Sequence, residues 1–430
     1  MNRSDDNGHL LIFYYTGTGR YAMNVLAGAL VANPATRDIS ILFPDTFSRL
    51  RDTIRDAAQK RRKTLVCWSF FSAGFGKAGE ELASLRHTTG DGDVRHIAGG
   101  VHATAEPLQT LQAGFDYVAC GEGEQIIVDL VTAFQRNQAL DRIRGLNYLR
   151  NGTLSRNGRG ETIVLDNHPP HCARYKKYGP MEITRGCIYA CKFCQTPFVN
   201  KARFRHRSFG NIAKHVRTMH DNGLRDYRFL TPTSLSYGSP DESVNLPAIE
   251  ELLGTVRGII GPDKRIFYGT FPSEVRPEHI SRQALAILKK YVHNDNLIIG
   301  GQSGSQHMLD ITRRGHSVEV IEQAVRYCIE YGFKPNVDFI FGMPGESEED
   351  AELTRMLTRK LVKLGARIHS HTFMPLPGTP LQHTAAGKVD KLTQAHLENL
   401  TAEGLAYGKW KEQIKIAEQL SEFNIPKQRR

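Results

Sequence analysis

The sequence has no run approaching the ~18 consecutive apolar residues that a bilayer-spanning helix needs. Its first apolar stretch is short. MNRSDDNGHLLIFYYTG leads directly into a glycine turn, which reads as a first strand and not as a signal peptide. Cysteine is sparse and odd in number, seven in 430 residues. That argues against a disulfide framework and for a reducing compartment, so a cytoplasmic protein without membrane association is expected. What remains is the composition of a globular protein, 40% hydrophobic and 23% charged. The length accommodates two or three domains, each able to bury a core. The formal charge of +11 gathers partly in Lys60–Lys63, Lys201–Arg207 and Lys427–Arg430. Such runs suit nucleic acid, anionic cofactors or plain solvated faces. No aromatic stacking motif is interleaved with them, so a small-molecule substrate is expected ahead of RNA.

Three of the cysteines fall in one stretch, Glu182–Pro197, EITRGCIYACKFCQTP. Cys187, Cys191 and Cys194 are spaced C-x3-C-x2-C, with Gly186 in front and Pro197 behind. Thiolates this close suit a soft metal centre: zinc, copper(I) or an iron–sulfur cluster. A structural zinc site wants a fourth Cys or His at short spacing. The nearest candidates, His206 and Cys172, lie outside any such pattern. Three thiolates on a [4Fe-4S] cube leave one iron free to chelate a small molecule. A zinc loop and a set of uncommitted thiols stay open at this point.

The first third of the chain alternates strand and helix. Leu10–Tyr15 is a strand, Thr16-Gly17-Thr18-Gly19 a turn and Arg20–Val31 a helix. Strands follow at Ile39–Phe43, Thr64–Phe71, Val94–Ala98 and Tyr117–Ala119. Helices lie between and after them at Thr46–Arg61, Lys77–Thr88, Thr104–Ala113 and Glu124–Gln135. This predicts a Rossmann-like, doubly wound parallel sheet that binds ligands beyond the C-terminal ends of its strands. Glycine-rich loops fall at two such ends: Gly99-Gly100-Val101-His102 and Gly121-Glu122-Gly123-Glu124. Residues 141–180 read as a linker, with a polar turn at Arg150–Gly160 between Leu146–Leu149 and Thr162–Leu165. From Met181 the alternation resumes through about six βα units. Strands are expected at Met181–Thr184, Asp226–Leu230, Arg265–Gly269, Asn296–Gly300, Asn336–Phe341 and Arg367–His371. That is a partial (β/α)6 barrel over 181–385. A helical extension over 386–430 follows, with helices at Leu392–Trp410 and Glu412–Leu420.

The cysteine loop, with Phe193 before its last cysteine, resembles the cluster loop of the radical SAM enzymes. GGQSGSQHMLDITRRGHS (300–317), VDFIFGMPGESEEDAELT (337–354) and HTFMPLPGTP (371–380) are similar to segments of their methylthiotransferase and cobalamin-type members. These motifs cover about residues 180–385. Over residues 1–140, the two glycine loops resemble the cobalamin-binding domain of the class B members. The D-x-H-x-x-G motif that supplies a cobalt ligand elsewhere is absent, which leaves His102 as the nearest alternative by position, against a plain turn role.

The resemblance implies a [4Fe-4S] cluster on Cys187, Cys191 and Cys194, with S-adenosylmethionine on the free iron. It implies reductive cleavage to a 5′-deoxyadenosyl radical, fed by a partner such as a flavodoxin or ferredoxin. Cobalamin would lie against Gly17, Gly99, Gly100, His102, Gly121, Glu122, Gly123 and Glu124. Ser273, Glu274 and Arg276 are placed to meet ribose hydroxyls or a carboxylate, the latter suiting a guanidinium. Gln302 and Ser303 are placed at the ribose or methionyl end, Arg313 and Arg314 near a carboxylate, and Met343 beside the adenine. The expected activity is cobalamin-dependent methylation of an unactivated carbon. The alternatives are a methylthiotransferase on RNA or protein, or a cobalamin-dependent radical enzyme without methyl transfer. The former would carry three further N-terminal cysteines, where only Cys67 and Cys120 stand, and an RNA-binding barrel at its C-terminus.

Overall fold

A computed structural model describes residues 8–17, 19–89 and 93–424, and divides the chain into two compact units, Met1–Gly179 and Pro180–Arg430. The basic run Lys427–Arg430 and Thr18 of the first turn lie outside the described residues. No helix among those described is long and apolar enough to cross a membrane.

The first unit is built on seven strands: β1 His9–Phe13, β2 Ser40–Leu42, β3 Lys63–Ser69, β4 Val94–Gly99, β5 Tyr117–Ala119, β6 Leu146–Arg150 and β7 Thr153–Arg156. Their order is β2-β1-β3-β4-β5-β6-β7. The first five are mutually parallel, β6 runs antiparallel to β5, and β7 antiparallel to β6. Alternate residues bury themselves on opposite faces, as the pleat requires. Leu11, Phe13, Leu65, Cys67 and Ile97 pack under the helices Gly19–Ala32 and Gly123–Arg136. Leu10, Ile12, Val66, Trp68 and Ala98 pack under Phe47–Gln59 and Phe75–Thr89. Burial on both faces is why these strands read as near-continuous apolar runs.

Part of the expected linker belongs to this sheet. Asn151 and Gly152 both take positive φ, 52° and 75°. That is the type I′ turn favoured in two-residue hairpins, and it pairs β6 with β7 instead of with Thr162–Leu165. The helix expected over Thr104–Ala113 is two short ones, Val101–Ala105 and Pro107–Gln112, because Pro107 cannot donate into a continuing turn.

The second unit shows the expected parallel strands: β8 Met181–Glu182, β11 Asp226–Leu230, β12 Arg265–Phe267, β13 Asn296–Gln302, β14 Lys334–Phe341 and β15 Arg367–Thr372. The hairpin β9 Thr184–Arg185 and β10 Arg205–His206 interrupts the first step, and β16 Ala406–Tyr407 closes the series against β15. The hydrogen-bonded orders are β12-β11-β8 and β13-β14-β15-β16. A parallel bridge from Val275 to Ile299 joins β13 to the segment that follows β12. Helices start at oxygen caps: Ser208, Asn245, Ser281 and Asp390 each accept a backbone N–H. Ser347 and Asp350 form a full capping box. The C-terminal helices are Lys391–Ala402 and Trp410–Asn424. The first stops short of its expected end because Gly404 turns the chain at φ 73° into β16.

Candidate functional site

The cysteine loop leaves the C-terminal end of β8. Its base is clamped by the β9–β10 pair and by a bidentate Glu182–Arg185 ion pair at 2.6 and 2.9 Å. Inside the loop, Lys192 N–H donates to Thr312 O at 3.0 Å and Cys194 N–H to Cys191 O at 3.0 Å. Cys187, Cys191 and Cys194 all line one cavity of about 270 Å³ at the C-terminal ends of β8, β11, β12 and β13. This is where a β/α barrel places its site.

Among the described residues, the three sulfurs are not a set whose donor atoms all lie within 4.8 Å of one another. A tetrahedral zinc with Zn–S of ~2.3 Å would draw its sulfurs to about 3.8 Å. Burial pushes the Cys187 thiol up to about 11 and the Cys194 thiol upward too. Thiolates enclosed in this way need a cation against them.

Two guanidiniums meet Cys191. Arg276 Nη1 lies 3.8 Å and Arg314 Nη1 3.6 Å from its Sγ, and both arginines are buried. Arg314 is fixed by Gly300 O at 2.6 Å. Arg276 is held by Glu278, by Arg314 O and by stacking over the Tyr189 ring at 3.6 Å. The Tyr189 hydroxyl is hydrogen-bonded to His279 Nε2 at 2.7 Å. Burial, then Arg276, pushes His279 down to about 3, so this ring is neutral. Two buried cations on one sulfur fit an anionic sulfur-rich group and would be costly beside a neutral thiol.

Glu274, Arg276 and Gln302, expected as ligand contacts, line the same cavity. Burial, then Asp338, raises Glu274 to about 7. Gln302 sits at φ 77°, an uncommon conformation for a non-glycine residue. Ser273 and Ser303 do not line it. Ser273 is buried and donates to Thr270 O at 3.3 Å. Ser303 pairs with Thr354 Oγ1 at 3.2 Å. Between Ser303 and Ser305, Gly304 lets the loop ride on the helix Glu348–Lys363, since a Cβ there would stand 2.6 Å from Thr354 Cα. Much of the GGQSGS motif is therefore backbone packing. Met343 lies in an apolar cluster with Met308 and Phe373, against which Phe193 packs. Of the adjacent arginines, Arg313 is exposed and Arg314 buried. Tyr189, Thr231, Thr233 and Phe271 also line the cavity and were not singled out from the sequence. Their only signal was position, in strand-end loops and between the cysteines.

In the first unit, the sheet order places the switch point between β1 and β3. A cavity of about 340 Å³ opens there, lined by Gly17, Trp68, Ser69, Phe70, Phe71 and Lys77 among others. Gly17 is among the residues the sequence points to, whereas the end of β3 is legible only once the strand order is known. The other expected residues do not line this cavity. Gly100, at φ 94°, brings its loop onto the Phe70 carbonyl, 2.9 Å from where a Cβ would stand. Gly99 precedes it at the end of β4. His102 is buried and stacked on Phe75 with centroids 4.2 Å apart, and burial lowers it to about 4. Gly121, Glu122, Gly123 and Glu124 pack inward. Glu122 accepts from Ile163 N at 3.2 Å, Glu124 is buried, and Gly121 and Gly123 abut Gly160 and Leu26.

Fold and site define a parallel β/α barrel with a three-cysteine loop at its C-terminal end, preceded by a doubly wound unit. Residues 181–357 match the family model of the radical SAM superfamily, so the chain carries a radical SAM domain. The chain is 28% identical over 302 residues to the tRNA-2-methylthio-N(6)-dimethylallyladenosine synthase of Pelobacter propionicus, covering 66% of this chain and 64% of that relative. It is 30% identical over 210 residues to the same-named protein of Moorella thermoacetica, covering 47% and 45%. The matches thus span less than two thirds of these relatives' own length. Among solved structures, the radical S-adenosylmethionine methyltransferase TsrM from Kitasatospora setae, with cobalamin and [4Fe-4S] cluster bound, aligns at TM-score 0.65 and 18% identity over 87% of this chain and 74% of that one. The cobalamin-dependent S-adenosylmethionine radical enzyme OxsB, with aqua-cobalamin and S-adenosylmethionine bound, aligns at 0.65 and 15% over 94% and 56%. At these identities the likeness shows the fold.

Proposed function

We propose that the protein is a radical SAM enzyme that methylates an unactivated carbon of a small molecule with the help of cobalamin. The observation that carries the reading is one cavity holding Cys187, Cys191 and Cys194 with two buried guanidiniums on the Cys191 sulfur. In this reading the three cysteines hold a [4Fe-4S] cluster. Arg276 and Arg314 balance its charge, and Arg276 is also within reach of a ligand carboxylate in the same cavity. Glu274 and Gln302 offer polar contacts to S-adenosylmethionine, and Phe193 and Phe271 exclude water from it. When bound, these groups supply one-electron cleavage of a sulfonium and a transferable methyl group, and the protein supplies position and dryness. The switch-point cavity beside Gly17, Trp68 and Phe70 is the proposed place for part of the cobalamin. The two glycine loops shape the same edge of that sheet.

A second reading, a methylthiotransferase acting on RNA, is favoured by the curated relatives. It requires a second cluster in the first unit. The cysteines there are buried and divided by the sheet: Cys67 and Cys172 lie in the core on one face, Cys120 in the core on the other. Their placement on opposite faces of the sheet speaks against a shared cube. Anaerobic reconstitution with iron, sulfide and hydroxocobalamin tests both readings. About four irons and four sulfides with one cobalamin per chain support the proposal, and about eight irons support the second reading. Absence of iron–sulfur absorption overturns both.

A further inference from the structure

Inside the second unit, a cluster whose residues do not line the cysteine cavity, but which neighbours it through Glu274, has the chemistry of a metal site. Asp338 on β14 pairs in register with His369 on β15, and His371 follows two residues along. All three point to the face opposite Val337, Phe339 and Phe341, because side chains alternate along a strand. One donor atom from each converges, and all lie within 4.8 Å of one another. His369 Nδ1 is 2.8 Å from Asp338 Oδ1 and 3.2 Å from His371 Nε2. Ligand atoms about a zinc-sized ion at ~2.1 Å stand about 3.0–3.4 Å apart, close to the two spacings about His369.

The hydrogen bonding is unbalanced without a cation. An imidazole nitrogen has one in-plane position, either a proton or a lone pair. His369 Nδ1 faces two partners with that one position. Gln413 sharpens the conflict: its Oε1 accepts from Thr372 N at 2.9 Å, so its Nε2 donates to His371 Nδ1 at 3.2 Å. That leaves the hydrogen of His371 on Nε2, pointing at the crowded His369 nitrogen. Asp338 is itself buried.

We propose that Asp338, His369 and His371 form a site for a divalent transition-metal ion of the zinc or iron(II) class, separate from the cysteine loop. Two imidazoles and one carboxylate are the donor set of such ions, and three protein ligands leave a coordination position for water or an anionic substrate group. Loading moves the His371 hydrogen to Nδ1, where it meets the Gln413 NH2, itself a donor, so a carboxylate there would accept what the amide nitrogen cannot. Gln413→Glu would accept from both Thr372 N and His371 Nδ1, the orienting arrangement common behind metal-bound histidines.

The test is metal analysis of cluster-loaded protein dialysed against zinc and then freed of excess. Wild type should retain one zinc per chain beyond its iron, and Asp338→Asn and His369→Ala should lose it at unchanged iron content. Gln413→Glu should bind zinc about tenfold more tightly in competition with a chelator. Zinc captured by the cysteine loop instead would survive His369→Ala and fall in Cys191→Ser, which separates failure of this site from failure of the cluster reading. Equal zinc in wild type and His369→Ala overturns the proposal. If His369→Ala does not load its cluster, Gln413→Glu decides: unchanged zinc affinity there overturns it equally.

Discussion

Arg314→Leu should lower the reduction potential of the cluster proposed on Cys191. Arg314 is buried, with Nη1 3.6 Å from Cys191 Sγ. The added electron spreads over the whole cube, so the effective separation from the guanidinium is roughly 6 Å. At an effective dielectric constant of about 20, a unit charge at that distance contributes ~3 kcal/mol. For a one-electron couple that is on the order of 100 mV. The expected result is a midpoint about 100 mV more negative in a potentiometric titration of reconstituted protein without S-adenosylmethionine, followed by EPR. Arg314→Lys should recover part of the shift, since it keeps the charge and loses the fork. Arg313→Leu is the control: the same charge is removed one residue away, but from solvent, where screening leaves little effect. An Arg314→Leu midpoint within ~20 mV of wild type at full iron content would refute the electrostatic argument. So would an equal shift in Arg313→Leu.

Cys191→Ser should reduce iron after reconstitution from about four per chain to background, measured with the visible absorption of the cluster. Gly100→Ala places a Cβ against the Phe70 carbonyl at a φ of 94°, and should destabilise the first unit by about 1–3 kcal/mol in urea denaturation. Retention of wild-type stability would remove the backbone role assigned to that glycine. Glu346, raised by burial to about 7 with one oxygen lacking a hydrogen-bond partner, is more protonated in the folded chain than in the unfolded one. Its contribution is full below the unfolded value near 4.5 and is lost as pH rises to about 7, up to ~3 kcal/mol. Glu346→Gln should therefore melt higher than wild type at pH 8 and lose that advantage at pH 4. A difference independent of pH counts against the assignment.

The fold was readable because its determinants are local and repeated. Strands buried on both faces give apolar runs, and oxygen caps and glycine turns punctuate them. The hairpin β6–β7 was misplaced although its Asn151-Gly152 signal stood in the sequence. The polar residues around that turn gave no pattern by which to choose its partner strand. The cysteine loop was readable because its proposed ligands lie on one short segment. Glycine motifs were less informative: the same residue serves a ligand's close approach and a loop's. Gly100 and Gly304 prove to be pressed against Phe70 and Thr354. Arg313 and Arg314 look alike in sequence, yet φ 56° at Arg313 sends one side chain to solvent and the next to Cys191. The cluster at Asp338 needed still more. Its members lie on two strands about thirty residues apart in sequence, and only the register Asp338↔His369 brings them together. A one-residue slip of β15 would turn both histidines to the opposite face, that of Val337, Phe339 and Phe341. The pairing register that seals the barrel core therefore also creates the three-donor site, and measuring zinc at that site tests the register itself.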